Sequence, residues 1–405
     1  MTDPDLILRV AAKGDGVTAD GRHVPLSAPG DRLDAAGALV PGPHHATPPC
    51  RHFPECGGCQ LQHLDDKSYA AFVMDRVSGA ISGQGLTVGT MHPPHLSPPR
   101  SRRRAALRGV RSGKKISIGF AEERSHRIVD MTMCEILHPA LFGLLAPLRG
   151  LLATLLPDRA TAQVKLALVD QGIDLLLEGI QVEGLVQDEA LIDFARAQGL
   201  ARLTLDDGFG PQTRWEPEPT TISFGGVAVG FPPHAFLQAT ADGEAALLDA
   251  VRPALSGASV IADLFAGLGT FGLGLGEGRA VYVAEAARDH LLALKGAGQR
   301  AGRRLAADHR DLFRRPLTPA EINRFGAIIL DPPRAGAREQ VVQLAASHVP
   351  VIAYVSCNPS SFARDAKMLV EGGYVLESVR PVGQFRWSTH VELAAIFRRA
   401  SDAGV

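Results

Sequence analysis

Four segments after residue 260 repeat one order: an apolar, β-branched run, then a turn, then a helical pattern. They are VIADLFAGLGTFGL, AVYVAEAARDHLLALKGAG, FGAIILDPPRAGA and VIAYVSCNPSSFARD. Strands that alternate with helices form a parallel sheet that is covered by helices on both faces. Two further strands, YVLESVRPV and VELAAIFRR, follow. The sequence therefore predicts an α/β domain, and sheets of this kind bind ligands beyond the carboxyl ends of their strands.

The composition indicates a folded protein without a strong overall charge. The chain has 405 residues, enough for two or three domains, and 45% of them are hydrophobic. Its 42 Lys and Arg residues nearly balance 43 Asp and Glu residues, so any attraction to nucleic acid must come from local patches. The start MTDPDLILRV lacks the pattern of a secretory signal, and no run reaches the ~20 apolar residues of a membrane span. We therefore expect a cytoplasmic protein with no membrane association.

The cysteine count is the next constraint. In the cytoplasm, cysteines are more often metal ligands or catalytic groups than members of disulfides. The chain has five, an odd number that fits a group of four plus one better than pairs. Cys50, Cys56 and Cys59 stand close together, Cys134 lies further along, and Cys357 ends an apolar strand.

A glycine-rich turn follows the first strand of the α/β domain. Gly267, Gly269 and Gly272 form G-x-G-x-x-G. Glu285 ends the next strand, near the spacing of ~20 residues from the glycines at which a carboxylate binds a ribose hydroxyl of the cofactor. This pattern suits either NAD or S-adenosylmethionine. Asp263 precedes the glycines, and an acidic residue there would attract a sulfonium but repel a pyrophosphate. The stretch therefore favours S-adenosylmethionine over NAD.

The motif DPPR, Asp331–Arg334, lies at the end of a later strand, where open α/β sheets bind ligands. Methyltransferases that act on exocyclic amines often carry an Asn/Asp-Pro-Pro-aromatic motif at this point. Arg334 cannot stack on a base as Tyr or Phe would. Amine methylation is therefore disfavoured, and another residue must handle the target.

Cys357 is the candidate nucleophile. A buried cysteine is often only a small apolar side chain. This one, however, ends a parallel strand, and Asn358-Pro359 would turn the chain away from its thiol. Methylation at carbon 5 of a pyrimidine needs such a thiol, because carbon 5 becomes nucleophilic only after a thiolate adds to carbon 6.

Glu392 is the candidate base for the proton that must then leave carbon 5, and His390 lies beside it in STHVELAAIF. A surface carboxylate is the simpler explanation of a glutamate. Glu392 nevertheless stands among apolar residues at a strand start, and burial there would raise its pKa toward the useful range.

Five segments in order resemble a known family, the S-adenosylmethionine-dependent RNA uracil-5-methyltransferases. They cover roughly residues 230–400 and read FLQAT, DLFAGLGTF, DPPRAGA, YVSCNPSSFARD and THVE. The resemblance implies that Cys357 is the nucleophile and Glu392 the base. It also implies a set of cofactor-pocket positions: Gln238, Phe265, Thr270, Glu285, Asp311 and Asp331. Asp308 lies only three residues before Asp311 and is the competing assignment.

The remaining cysteines resemble the four-cysteine iron–sulfur site of the 23S ribosomal RNA branch of this family. The ligands would be Cys50, Cys56, Cys59 and Cys134, within CRHFPECGGCQLQH and beyond it. Four thiolates suit zinc as well as a [4Fe-4S] cluster. The resemblance favours the cluster, with a structural or RNA-orienting role, since methylation needs no electron transfer.

The chain also departs from the family pattern. Thr240 stands where Asn is common, Ala266 where Cys is common, and QFRWSTHVE replaces a more usual FPHT-x-HVE. The N-terminal segment resembles the family's RNA-binding TRAM barrel but is short. Two basic stretches, Arg100–Lys115 and Arg300–Arg315, are candidates for phosphate contacts or for ordinary solvated surface.

Together these features predict three domains. They are a shortened TRAM/OB-like β segment at 1–42, a central α+β iron–sulfur domain at 43–232, and a class I, Rossmann-like methyltransferase domain at 233–405. The expected function is formation of 5-methyluridine in 23S ribosomal RNA, by a monomer that uses S-adenosylmethionine and a [4Fe-4S] cluster. Transfer RNA is the second candidate substrate, and an inactive iron–sulfur RNA-binding or redox protein is the alternative from another class.

Overall fold

The N-terminal segment forms short antiparallel strands, as its turn residues predict. The computed structural model describes residues 3–123 and 125–400, so the ends 1–2 and 401–405 of the predicted first and last domains lie outside the described residues. A three-stranded sheet and a separate hairpin contain β1 (Ile7–Val10), β2 (Gly16–Thr18), β3 (His23–Val24), β4 (Arg32–Leu33) and β5 (Leu39–Val40). The buried Asp31 carboxylate accepts hydrogen bonds from the N–H groups of Ala28 and Gly42 and contacts His45 Nδ1, which ties the segment to the chain that follows.

The stretch after the cysteine-rich loop packs on the C-terminal sheet. Helix α1 (Asp66–Ser82) is capped by Asp65, whose side chain accepts a hydrogen bond from the Ser68 N–H. Strands β6 (Thr90–Met91) and β7 (His95–Leu96) pair in parallel with the second-to-last strand of the chain, Tyr374–Gly383. Residues 66–96 thus share an apolar core with the sheet assigned to 233–405, and the predicted domain boundaries stay predictions.

The middle of the chain forms a six-stranded mixed sheet with helices packed against it, an α+β unit as predicted. Its elements are β8 (Arg104–Ser112), β9 (Lys115–Gly119), α2 (Pro139–Gly143), α3 (Leu145–Leu155), β10 (Thr161–Val169), β11 (Gly172–Glu178), α4 (Leu185–Ala197), β12 (Arg202–Asp206) and β13 (Gln212–Trp215). The strand order is β13-β12-β11-β10-β8-β9. Leucines at helical spacing on α3 are buried in this unit's core.

A hairpin and a helix lead into the last unit. They are β14 (Thr221–Phe224), β15 (Val227–Gly230) and α5 (Ala241–Val251), followed by a short 3-10 helix, Arg252–Leu255. Thr240 caps α5, because its hydroxyl accepts a hydrogen bond from the Gly243 N–H at 3.0 Å. Threonine therefore serves as the cap at a position where the family more often has Asn.

The alternating segments after residue 260 build the largest sheet. Its elements are β16 (Val260–Leu264), α6 (Thr270–Gly274), β17 (Ala280–Glu285), α7 (Arg288–Arg300), β18 (Arg304–His309), α8 (Pro319–Ile322), β19 (Ala327–Leu330), α9 (Arg338–Ala345), β20 (Val351–Ser356), α10 (Pro359–Glu371), β21 (Tyr374–Gly383) and β22 (Glu392–Arg399). The strand order is β18-β17-β16-β19-β20-β22-β21-β6, with β7 also on β21. The first five strands are parallel, and β22 is antiparallel to both neighbours.

This sheet has a buried apolar layer on each face, as a doubly wound α/β domain requires. The last strand along the chain, β22, is inserted between β20 and β21. Its N-terminal end therefore lies at the same edge as the carboxyl ends of the parallel strands. Within residues 3–123 and 125–400, no helix combines the length and apolar character that crossing a membrane requires.

Candidate active site

The register of β20 and β22 brings the predicted nucleophile and base together. Ser356 pairs with Leu393 across the two antiparallel strands. Cys357 follows the first of these residues and Glu392 precedes the second, so the two side chains belong to neighbouring ends of adjacent strands. Both line one cavity of about 890 Å³, which also receives residues from the N-terminal and central units.

The backbone after Cys357 starts a helix immediately. Asn358 caps α10, since its side chain accepts a hydrogen bond from the Ser360 N–H at 3.1 Å, and Pro359 occupies the first helical position. The Asn358 amide also donates to the Arg334 carbonyl at 3.0 Å. The motif read as a turn from sequence is thus a capped helix start that anchors Cys357 to the DPPR segment.

The pKa of the Cys357 thiol is raised above its ordinary value. Burial is the main cause, followed by the nearby carboxylates of Glu392 and Asp331, while Arg334 acts in the opposite direction. The thiol of the free protein is therefore protonated at neutral pH, and it must lose its proton before it can attack.

Glu392 occupies the buried position that its apolar neighbours predict. It is 4% exposed. Burial and then the charge of Asp331 raise its pKa to about 8, against the opposing effects of the Gln384 hydrogen bond and Arg104. Its carboxyl is therefore mainly protonated in the free protein at neutral pH, and once it has lost that proton it is a stronger base than an exposed glutamate.

A pair of glutamine amides connects the two buried acids. Gln238 Nε2 donates to Asp331 Oδ2 at 3.3 Å, and Gln384 Nε2 donates to Gln238 Oε1 at 2.7 Å. Burial raises the pKa of Asp331 to about 7. Sequence reasoning missed Gln384; the available signal was a polar side chain at the end of a strand, next to the altered approach to Glu392.

The glycine-rich loop turns the chain sharply at the carboxyl edge of β16. Phe265, Gly267 and Gly269 have φ values of 64°, 54° and 94°, in the left-handed region. A Cβ at Gly269 would lie 2.5 Å from Leu294 Cδ1, so a larger residue does not fit there. The Glu285 carboxylate accepts the Gly267 N–H at 2.9 Å and the Ala287 N–H at 2.7 Å, and thereby holds the loop against the next strand.

Asp263 is buried beneath the glycine-rich loop. Its side chain is 1% exposed, and Oδ2 accepts a hydrogen bond from the Gly272 N–H at 2.7 Å, at the start of α6. Burial raises its pKa to about 8, so the carboxyl is mainly neutral at neutral pH. The residue anchors the loop from beneath, and its expected attraction to a sulfonium stays a prediction.

The competing aspartates after β17 have different surroundings. Asp308 lies within β18 and accepts a hydrogen bond from the Tyr282 hydroxyl at 2.5 Å. Asp311 lies beyond the strand end and accepts the Phe313 N–H at 3.0 Å. The centre of the Phe313 ring lies 5.4 Å from that of Phe265. The carboxyl edge of the sheet therefore carries two aromatic rings close to the Asp311 carboxylate.

Five of the six predicted cofactor positions follow or end strands at one edge, or begin the helix after the glycine loop. They are Phe265, Thr270, Glu285, Asp311 and Asp331. Gln238 reaches the same edge through its contact with Asp331. Carboxylates for ribose hydroxyls and aromatic rings for an adenine fit S-adenosylmethionine at this edge.

Comparisons with known proteins agree with this geometry. An RNA methyltransferase of Zymomonas mobilis, named as uncharacterized, is 50% identical over 97% of this chain and 99% of its own. The 23S rRNA (uracil(1939)-C(5))-methyltransferase RlmD of Pectobacterium atrosepticum is 32% identical over 89% of this chain and 81% of its own. A tRNA (uracil-5-)-methyltransferase family model matches residues 306–400.

The chain belongs to the RNA uracil-5-methyltransferase family. It is an S-adenosylmethionine-dependent RNA methyltransferase. A solved structure has the same fold: Pyrococcus abyssi tRNA (uracil-54, C5)-methyltransferase in complex with S-adenosyl-L-homocysteine, with a TM-score of 0.75 and 22% identity over 97% of this chain and 98% of that one. The predicted class I fold with an N-terminal β segment is thus confirmed.

The methyltransferase's four remaining cysteines line one small pocket between the loop after Ala46 and the segment before α2. They are Cys50, Cys56, Cys59 and Cys134. All four are free thiols, and burial raises the pKa of Cys59 to about 12. Within the described part of the chain, no three His, Cys, Asp or Glu side chains are arranged to hold a metal ion. The predicted iron–sulfur site therefore has its thiols in one place but no assembled ligand geometry.

Most arginines of the two predicted basic stretches of the methyltransferase have intramolecular partners. Arg103 pairs with Glu244 at 2.6 Å, and Arg310 pairs with Glu321 at 2.8 Å. Arg102 and Arg104, by contrast, line the cavity that contains Cys357. The first stretch thus contributes two cations to the site, whereas the residues of the second are used mainly to hold the fold together.

Proposed function

We propose that this methyltransferase forms 5-methyluridine in 23S ribosomal RNA, with Cys357 as the nucleophile and Glu392 as the base. The observation that carries the proposal is that the two side chains line one cavity from neighbouring ends of adjacent strands. A thiol and a carboxylate are the two groups that methylation at carbon 5 of uracil requires.

The proposed chemistry begins when the Cys357 thiol loses its proton to solvent in the open cavity. The thiolate adds to carbon 6 of the uracil, and the displaced electron pair makes carbon 5 nucleophilic. S-adenosylmethionine, when bound, supplies the methyl group that carbon 5 takes up. Glu392 then removes the remaining proton from carbon 5. The carbon 5–carbon 6 double bond re-forms as the sulfur–carbon bond breaks, which returns Cys357 as a thiolate.

The cavity supports an RNA substrate whose target base is turned out of its stack. The Arg104 guanidinium lies 4.5 Å from the centre of the half-exposed Phe236 ring, and Arg102 lies over Phe120 and Phe385. Arginine–aromatic surfaces of this kind suit unstacked bases.

Arg76 adds a cation at the cavity wall. Its Nε atom is buried and has no hydrogen-bond partner among the described residues, and the same is true of Arg104 Nε. Burial lowers the pKa of both groups, and that of Arg104 to about 10. Cations held partly away from water gain most from a phosphate that supplies the missing negative charge.

Two observations favour ribosomal over transfer RNA. RlmD, named for a uridine of 23S ribosomal RNA, is 32% identical to this chain, whereas the Pyrococcus abyssi enzyme, named for transfer RNA, is 22% identical. The four cysteines in one pocket also follow the pattern of the 23S ribosomal RNA branch. Transfer RNA is the second candidate, since the family model that matches residues 306–400 is described by that substrate.

We also propose that Cys50, Cys56, Cys59 and Cys134 hold a [4Fe-4S] cluster. The donor set supports this: four free thiols line one pocket and none is used in a disulfide. Four thiolates also suit a zinc ion, and the resemblance to the 23S ribosomal RNA branch is what favours the cluster. The cluster would be structural and would stay outside the methyl-transfer steps.

The test is incubation of the purified protein with labelled S-adenosylmethionine and unmodified total RNA, followed by mass spectrometry of the labelled fragment. The expected product is 5-methyluridine in a large-subunit ribosomal RNA fragment. Label in transfer RNA alone would select the second substrate, and no label in any RNA would refute the proposed activity. Cys357→Ala is expected to abolish both transfer and the covalent adduct with 5-fluorouridine RNA, while Glu392→Gln retains the adduct.

A further inference from the structure

The loop between β21 and β22 ends at the proposed base. It comprises Gln384–Val391, carries the cavity residues Phe385 and His390, and leads directly into Glu392. Its sequence is also where the chain departs from the usual family pattern, because QFRWST stands there. The shape of this base loop, together with the pairing of Glu392 with Val382, therefore sets where the Glu392 carboxylate meets the substrate.

Trp387 connects the base loop to the cysteine-rich loop. Its carbonyl oxygen accepts two backbone hydrogen bonds, from Gln60 N–H at 2.8 Å and from Leu61 N–H at 2.9 Å. Gln60 follows Cys59 directly in the chain. The two loops thus share one acceptor, and a displacement of the cysteine-rich loop acts on the base loop through these two bonds.

The conformation of Trp387 depends on its surroundings. Its φ is 57°, in the left-handed region that a residue with a bulky side chain rarely adopts. The indole is 6% exposed and belongs to the apolar cluster that also contains Cys59 and Leu61. The ring and the two hydrogen bonds together keep the backbone in this unfavourable conformation.

Other contacts also restrain the base loop, and Val391 at its end is buried in the same apolar cluster as Trp387. The Tyr69 hydroxyl donates to the Phe385 carbonyl at 3.1 Å, and the Ser388 N–H donates to the same carbonyl at 2.9 Å. On the opposite side of the site, Cys357 is held separately by the β20–β19 pairing and by the Asn358 cap of α10. Glu392 is the first residue of β22 and pairs with Val382, so loosening at Trp387 acts on the orientation of the base from the loop side, while the nucleophile keeps its separate support.

We propose that Trp387 is a positioning residue that couples the cysteine-rich loop to the proton-abstraction step. The proposal rests on the proposed function, because it presumes that Glu392 removes the carbon 5 proton. Disturbance of Trp387 or of Cys59 slows this removal, while addition of Cys357 to carbon 6 and uptake of the methyl group continue. The covalent protein–RNA complex then accumulates on ordinary uridine RNA, since only proton removal allows the sulfur–carbon bond to break.

The experiment compares wild type, Trp387→Gly, Trp387→Phe and Cys59→Ser as purified full-length proteins. Glycine accepts the left-handed backbone but removes the ring, and phenylalanine retains an aromatic ring as the matched control. We expect kcat to fall about tenfold to a hundredfold in Trp387→Gly, with KM for S-adenosylmethionine unchanged. The same variant and Cys59→Ser should accumulate a covalent complex with uridine RNA on denaturing gels, whereas Trp387→Phe should resemble wild type.

A second readout uses the fluorescence of the coupling residue itself. The chain has two tryptophans, so Trp215→Phe leaves Trp387 as the one emitter. Cys59→Ser in this background should shift the emission and increase its quenching by acrylamide. These measurements do not depend on turnover.

The outcomes separate the two proposals. Equal loss of adduct formation and turnover in Trp387→Gly, or wild-type turnover in that variant with an intact melting transition, overturns the positioning role and leaves the methyltransferase assignment unchanged. A wild-type protein that forms neither 5-methyluridine nor an adduct overturns the proposed function, and the positioning role with it.

Discussion

The Gln384 amide reaches Gln238 across 2.7 Å, and through this contact the buried acids Glu392 and Asp331 belong to one polar network. Its four members come from four places in the chain: the loop before α5, the strand end after β19, the residue after β21, and the start of β22. A buried network of this kind is stable only when its donors and acceptors are paired, so each amide constrains the orientation of the next.

Removal of the Gln384 amide should shift the pH dependence of the reaction. Its hydrogen bond lowers the pKa of Glu392, so Gln384→Leu raises that pKa further and moves the rise in single-turnover rate to higher pH. The variant should also lose about 1–3 kcal/mol of unfolding free energy, because Gln238 Oε1 is left without its buried donor. The exposed Gln299→Leu is the control, and an unshifted profile would contradict the network.

The wild-type profile itself should rise with pH. Both proposed groups act when deprotonated, and burial raises the pKa of each, to about 8 for Glu392. The single-turnover rate should therefore increase across about pH 6 to 9 as Glu392 loses its proton, and should keep rising above that range, because the pKa of Cys357 lies above its ordinary value. Rapid-quench measurements with labelled S-adenosylmethionine test this. A rate that is flat over the range would show that neither group titrates in the rate-limiting step.

Stability should fall as pH rises, because Asp263 holds its proton more tightly in the folded protein. Its folded pKa is about 8, against an ordinary value of 3.8, so the stabilising contribution is complete below the ordinary value and is lost as pH rises through 8. Asp263→Asn keeps the oxygen acceptor for the Gly272 N–H. It should reduce the slope of the unfolding free energy against pH by up to about 1.4 kcal/mol per pH unit. Denaturant unfolding across this range, with exposed Asp249→Asn as the control, measures the difference.

Arg76 should contribute to the affinity for RNA but not to the stability of the folded protein. Arg76→Ala is expected to weaken RNA binding and to reduce the slope of log Kd against log salt by about 1, as loss of one phosphate contact does. Its melting temperature should stay near that of wild type, since the Nε atom has no hydrogen-bond partner in the described chain. Arg159→Ala, whose side chain is 93% exposed, provides the control. An unchanged salt slope would remove Arg76 from the RNA interface.

The metal content distinguishes the proposed cluster from zinc. Anaerobically purified protein should contain about four irons and four sulfides per chain, with a broad visible absorbance that Cys134→Ser diminishes. Elemental analysis and absorption spectroscopy measure both. One zinc and no iron per chain would refute the cluster. Neither result would alter the assignment of Cys357, which lies outside the cysteine pocket.

Much of this protein follows from its sequence. Apolar runs that alternate with helical patterns predicted the parallel sheet, and Cys357 was recognised as the residue that ends one of its strands. The apolar neighbours of Glu392 predicted its burial. These features are local, because the pattern of consecutive residues is enough to predict a strand end or a buried stretch.

Other features were decided by the tertiary structure. The insertion of β22 between β20 and β21 brings Glu392 beside Cys357, and no local pattern specifies which strands become neighbours. Asp263 and Glu285 are both acidic residues next to the glycine loop in sequence, yet the Asp263 carboxyl lies beneath the loop and the Glu285 carboxylate holds it from the side. The role of Trp387 likewise depends on a cysteine-rich loop more than three hundred residues earlier in the chain. Sequence patterns report propensity and burial, whereas the direction of a buried carboxylate and the partner of a carbonyl depend on long-range packing.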